Sequence, residues 1–161
     1  MSLFGDANYQ WRETYFILFR QGDRPMADDV VKALTANDNR LEISDVLSDD
    51  DGRLESLTLK SPDDFAAMDI SLVTGEEVTE QIDELSHELA KATLSDEDHE
   101  NLQQLAQCDA RFDIFHFEQV LDDVDGGEDE FLDPAALLIV MEKLALICRG
   151  VGIDPQSGSL M

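Results

Sequence analysis

Positive charge is scarce in this sequence. Lysine and arginine together number 11 against 37 aspartates and glutamates, and the only lysines are Lys32, Lys60, Lys91 and Lys143. The resulting formal net charge of −26 repels phosphate, which disfavours ordinary counterion-release binding to nucleic acid and docking on anionic membrane surfaces. Cysteine is scarce too. Cys108 and Cys148 are too few for a disulfide framework, and each sits among apolar or helical neighbours, so both are read as reduced and packed. Long apolar runs are missing: the longest, within Ala135–Cys148, is interrupted by Glu142 and Lys143 and falls short of the roughly 20 residues that span a bilayer. Met1–Gln10 lacks the basic and apolar regions of a signal peptide. The expected localisation is cytoplasmic.

What is present suits an ordinary globular domain: 161 residues, 43% hydrophobic and 30% charged. A chain of this length buries about 68–70% of its unfolded surface and holds a core without staples. One domain over 1–161 is expected, with 1–9 as a loose leader and the Gly/Ser/Pro-rich 151–161 as a mobile tail. The acid excess, with a pI near 4.1, favours basic partners, divalent cations or plain solubility. Salt adaptation accounts for the same composition, because salt screens self-repulsion.

Periodicity divides the chain into elements. Trp11–Arg20 is aromatic and β-branched and reads as a buried strand. Met26–Ala36 places Val30, Val31 and Leu34 on one helical side, opened by Pro25 and closed by the Asn37–Asn39 cluster. Leu41 and Ile43, then Leu57 and Leu59, alternate with polar residues across the Asp49–Gly52 hairpin signal. Met68, Ile70 and Leu72 form a third consecutive strand. Thr74, followed three residues later by Glu77, matches a capping box, opening a helix with Val78, Ile82, Leu85 and Leu89 on one side. Ser95 caps a further helix, Arg111–Glu118 is an aromatic strand, and Asp133-Pro134 opens a last helix to Gly150. The order β-α-β-β-β-α-α-β-α implies an α+β fold with an antiparallel sheet of about four to five strands and helices packed on one face.

Local motifs for chemistry fail on spacing. The acidic loop Asp122–Glu130 suits a hard cation by ligand type. Placing Gly126 or Gly127 at the glycine position of an EF-hand, however, puts leucine, valine or glycine where ligands belong, and the Asp49–Gly52 turn fails likewise. His87, His99, Cys108 and His116 match no compact zinc spacing. There is no nucleophile elbow and no phosphate loop. Gly150-Val151-Gly152 begins like a dinucleotide fingerprint but follows a helix and ends in Pro155. No residue is assigned a catalytic, cofactor-binding or metal-ligating role.

Two features point to partners. Glu76, Glu80, Glu84 and Glu88 stand at strict i, i+4 spacing and form one anionic stripe. Its like-charge neighbours cost roughly 1 kcal/mol in sum, offset only near the helix N-terminus. The stripe is a candidate surface for a basic partner, against the alternative of an acid-rich solvated face. The last helix is apolar in nearly all directions, so several of its sides need cover. Leu138, Met141, Leu144, Ala145 and Cys148 are candidates for a homodimer interface, against the alternative of a helix wrapped by its own domain.

In architecture alone, the size, acidity and α-β-β-β-α core are loosely similar to small secretion chaperones that hold partly unfolded clients. That resemblance implies a partly unfolded protein partner, and the acidity a basic one. The strand at Trp11–Arg20 and the added helix before Arg111–Glu118 depart from its pattern. The leading expectation is a non-enzymatic binding, adaptor or chaperone-like domain. The rivals are an acidic nucleic-acid mimic that occupies a DNA-binding protein and an enzyme without a local motif, the latter recognisable by a pocket containing His116 or Cys108.

Overall fold

The computed structural model describes residues 9–36, 41–61, 66–90, 96–119, 135–154 and 159–160. Among the described residues, alternating and β-branched segments form seven strands: β1 (Tyr9–Phe19), β2 (Glu42–Ser48), β3 (Leu54–Ser61), β4 (Ala66–Thr74), β5 (Ala110–Gln119), β6 (Val151–Asp154) and the two-residue β7 (Ser159–Leu160). The helices are α1 (Ala27–Thr35), α2 (Glu76–Ala90), α3 (Asp96–Leu105) and α4 (Ala135–Cys148). All strands join one antiparallel sheet in the order β2-β3-β4-β5-β1-β6-β7.

The α+β class and the antiparallel meander β2-β3-β4 agree with the sequence reading, although the sheet is wider. The helices depart from it by lying on both faces. Side chains alternate across a strand, so Ile17 and Phe19 point one way and Leu18 the other. Ile17 and Phe19 share a core with Leu59, Ile70, Phe112 and Ile114, covered by Val30 and Leu34 of α1 and by Leu137, Val140 and Leu144 of α4. Phe19 stacks on Phe112 with centroids 4.6 Å apart. Leu18 joins Val151 and Ile153 under Val78 and Ile82 of α2 and Leu105 of α3. Two-sided burial explains why Ile17-Leu18-Phe19 is continuously apolar. Each fully buried side chain of this size is worth about 1.5–3 kcal/mol.

A second departure concerns the end of the chain. Residues 151–154, read as part of a mobile tail, form β6, which pairs Val151 with Leu18 and Ile153 with Phe16. Val151, Gly152 and Ile153 are buried. Two apolar residues flanking a glycine suffice for a short strand because β1 offers an open edge. At its start, α2 is capped by Gly75, with φ 106, whose carbonyl accepts from the Val78 and Thr79 amides. The helix therefore starts one residue later than the Thr74 capping box requires, and the box is not formed, since Gly75 has no side chain to close it. The caps expected at Asn37–Asn39, Ser95 and Asp133-Pro134, and the acidic loop Asp122–Glu130, lie outside the described residues.

Candidate functional site

The acidic stripe is built as its spacing requires. Val78 and Ile82 anchor α2 to the sheet, which turns Glu76, Glu80, Glu84 and Glu88 to solvent, and all four are exposed. Four residues of helix rise about 6 Å, so the row extends over about 18 Å. α2 contains no lysine or arginine. Its one cation-facing carboxylate among the described residues is Glu77, 3.6 Å from Arg111. His87 is exposed and its Nδ1 lies 2.8 Å from the Asp83 carbonyl.

α4 divides into two sides. Met141, Leu144 and Cys148, three of the residues nominated for self-association, are buried in the domain's own core. A fourth, Ala145, is half-buried, and Leu138 is 48% exposed. The outward apolar surface is instead Leu138, Ile139 (42% exposed) and Leu146 (73% exposed). The sequence showed a helix apolar all round; which side the sheet would take depended on where α1 and β6 pack. Leu138 and Leu146 also line a groove of about 600 Å³, whose lining continues through Glu142 and Ala145 of α4, Arg149 just past its end, and Gly150 and Gly152 leading into β6. Gln104 of α3 reaches it and donates through Nε2 to the Arg149 carbonyl at 2.7 Å.

The helix end that shapes the groove is unusual. The Gly150 amide donates back to the Ala145 carbonyl at 2.8 Å, and the left-handed residue that such a termination needs is Arg149, with φ 55. A residue with a Cβ loses roughly 1–2 kcal/mol there, and glycine is the usual occupant. The glycine stands one residue later because a Cβ at Gly150 would lie 2.7 Å from Ile17 Cγ2 and 2.8 Å from the Leu18 carbonyl oxygen. Arg149 is therefore held outward, exposed, at the groove's end.

Several polar groups of the described residues are engaged in pairs within the fold. Arg111 donates through Nε to Asp113 Oδ1 at 2.5 Å and through a second nitrogen to Gln81 at 2.6 Å. Its guanidinium also lies 4.7 Å from the Phe16 ring centroid. Burial raises the Asp113 carboxyl above its ordinary value, against the opposing pull of Arg111. The Asp49 carboxylate accepts from the Asp51 and Arg53 amides and pairs with Arg24, which makes the Asp49–Gly52 segment a side-chain-braced turn. Thr58 donates to Asp69 at 2.7 Å between β3 and β4.

His116 is 1% exposed, and among the described residues neither ring nitrogen has a hydrogen-bond partner. Glu13 Oε1 lies 3.7 Å from its Nδ1. Burial lowers its proton affinity below the ordinary value, with Glu13 opposing. Cys108 and Cys148 are free and buried. Burial, helped by Asp109, pushes Cys108 up to about 11, and burial pushes Cys148 up to about 12. Both thiols are thus protonated at neutral pH and poor nucleophiles. The groove is lined by neither His116 nor Cys108. Among the described residues no group of three or more His, Cys, Asp or Glu comes together to hold a metal ion, and no helix is long and apolar enough to cross a membrane. Comparison with protein-family models, with curated proteins and with solved structures finds no match.

Proposed function

We propose that this chain is a protein-binding module of adaptor or chaperone-like type that recognises a basic segment of a partner along α2. The observation that carries this reading is the exposed glutamate row, which no lysine or arginine of its own helix neutralises. Like charges one turn apart disfavour the helix by about 0.2–0.5 kcal/mol per pair. A cationic helix or extended segment with charges at matching intervals relieves that repulsion on docking. The net charge of −26 draws such a partner in from a distance and speeds encounter. The row is single and straight, whereas mimicry of duplex DNA needs two charge rows following paired backbones, so a basic polypeptide is the better match. The inert thiols and the deeply buried imidazole weigh towards binding rather than catalysis.

The test is titration of a lysine- and arginine-rich amphipathic peptide against the full chain at low salt, followed by fluorescence anisotropy. Replacing Glu80, Glu84 and Glu88 by glutamine is expected to weaken binding at least about tenfold, a change of about 1.4 kcal/mol. A control of equal charge loss, Glu42→Gln, Asp50→Asn and Glu55→Gln on the β2–β3 hairpin, is expected to change it little. Equal weakening by both sets would show attraction by overall charge and no recognition along α2.

A further inference from the structure

We propose that the outer side of α4 packs against a second copy of this chain, antiparallel, about a two-fold axis passing between Ala145 and Leu146. Leu138, Glu142 and Ala145 follow one another at intervals of four and three residues, the spacing that keeps side chains on one seam of a helix pair, and Arg149, just past the helix end, lines the same groove. Ile139 and Leu146 flank that seam, and with Leu138 they are the exposed apolar residues of the helix. A two-fold contact is self-complementary, so each residue meets its mirror position twice.

Charge selects the register. Most of the molecule repels a copy of itself, but the stretch from Ala135 to Arg149 holds one acid, Glu142, against two bases, Lys143 and Arg149. It is therefore a side on which two such anions can approach. With the axis between Ala145 and Leu146, Glu142 stands opposite the partner's Arg149, and Arg149 opposite the partner's Glu142. Arg149 is exposed and lines the end of the groove, where this pairing needs it. Its backbone stays tied to Gln104, so its side chain can be exchanged without releasing the helix end.

Sedimentation equilibrium of the full chain in moderate salt tests the register. The wild type is expected to dimerise at micromolar concentration. Glu142→Arg alone and Arg149→Glu alone are each expected to weaken the dimer about tenfold or more, because each places like charges at two symmetric contacts. The double exchange is expected to restore it. Leu146→Asp, at a side chain outside the domain's own core, is expected to give a monomer, and thermal melts of each variant report whether the fold is intact. A wild type that stays monomeric at high micromolar concentration overturns the proposal. So does a Leu146→Asp variant that remains dimeric, or a double exchange no stronger than the single variants.

Discussion

A buried polar atom without a partner forfeits its hydration, at about 1–3 kcal/mol for the group. His116 is in that position, with Glu13 facing it at 3.7 Å and Arg12 and Glu118 contributing weaker fields from β1 and β5. Its proton affinity in the folded chain lies below the ordinary 6.5, so on acidification the unfolded chain takes up the proton first. This contribution to stability is full above a pH of about 6.5 and declines below it, until the folded protein also protonates. Urea midpoints measured from a pH of about 7.5 to about 5.5 are expected to fall more steeply for the wild type than for His116→Leu. The variant is also expected to be the more stable of the two at the acidic end. Equal slopes would mean that His116 titrates in the folded chain as it does in the unfolded one.

At the scale of elements, the junction of α4 with β6 leaves no room for a side chain at Gly150. A Cβ at Gly150 meets the Leu18 carbonyl oxygen at 2.8 Å, and a strand backbone in the sheet centre has little room to yield. Gly150→Ala is expected to cost about 1–3 kcal/mol in equilibrium denaturation. Gly22→Ala, where nothing lies within 4 Å, is expected to leave stability nearly unchanged. The elements of the meander were legible from the sequence because Leu57, Leu59, Met68 and Ile70 alternate cleanly with polar residues. The exposed glutamate row was legible too, since helical spacing alone puts those carboxylates on one side. β6 was not, because the glycine and proline around Val151 and Ile153 signal a tail, and only the open edge of β1 makes them a strand. Nor was the outward side of α4, where apolar residues on every side erase the signal. The groove has no local signature at all: Gln104, Arg149 and Gly152 meet through the packing of α3, α4 and β6.

For the whole molecule, the charge of −26 opposes compaction through long-range repulsion that dissolved ions screen. The screening length shrinks from about 30 Å at 0.01 M salt to about 10 Å at 0.1 M. The thermal midpoint is accordingly expected to climb with sodium chloride over that range, and calorimetry would register a flat response as failure of this expectation. The sheet's strand order has a consequence for biosynthesis. β1 lies between β5 and β6, so the earliest strand finds neither neighbour until some hundred residues more have left the ribosome. At about 5–20 residues per second, its apolar Phe16–Phe19 stretch waits on the order of ten seconds, exposed to premature association. A nascent chain halted before β5 is thus a ready client for whatever shields hydrophobic segments in the cell, and final folding follows release of the late strands rather than growing outward from the early ones.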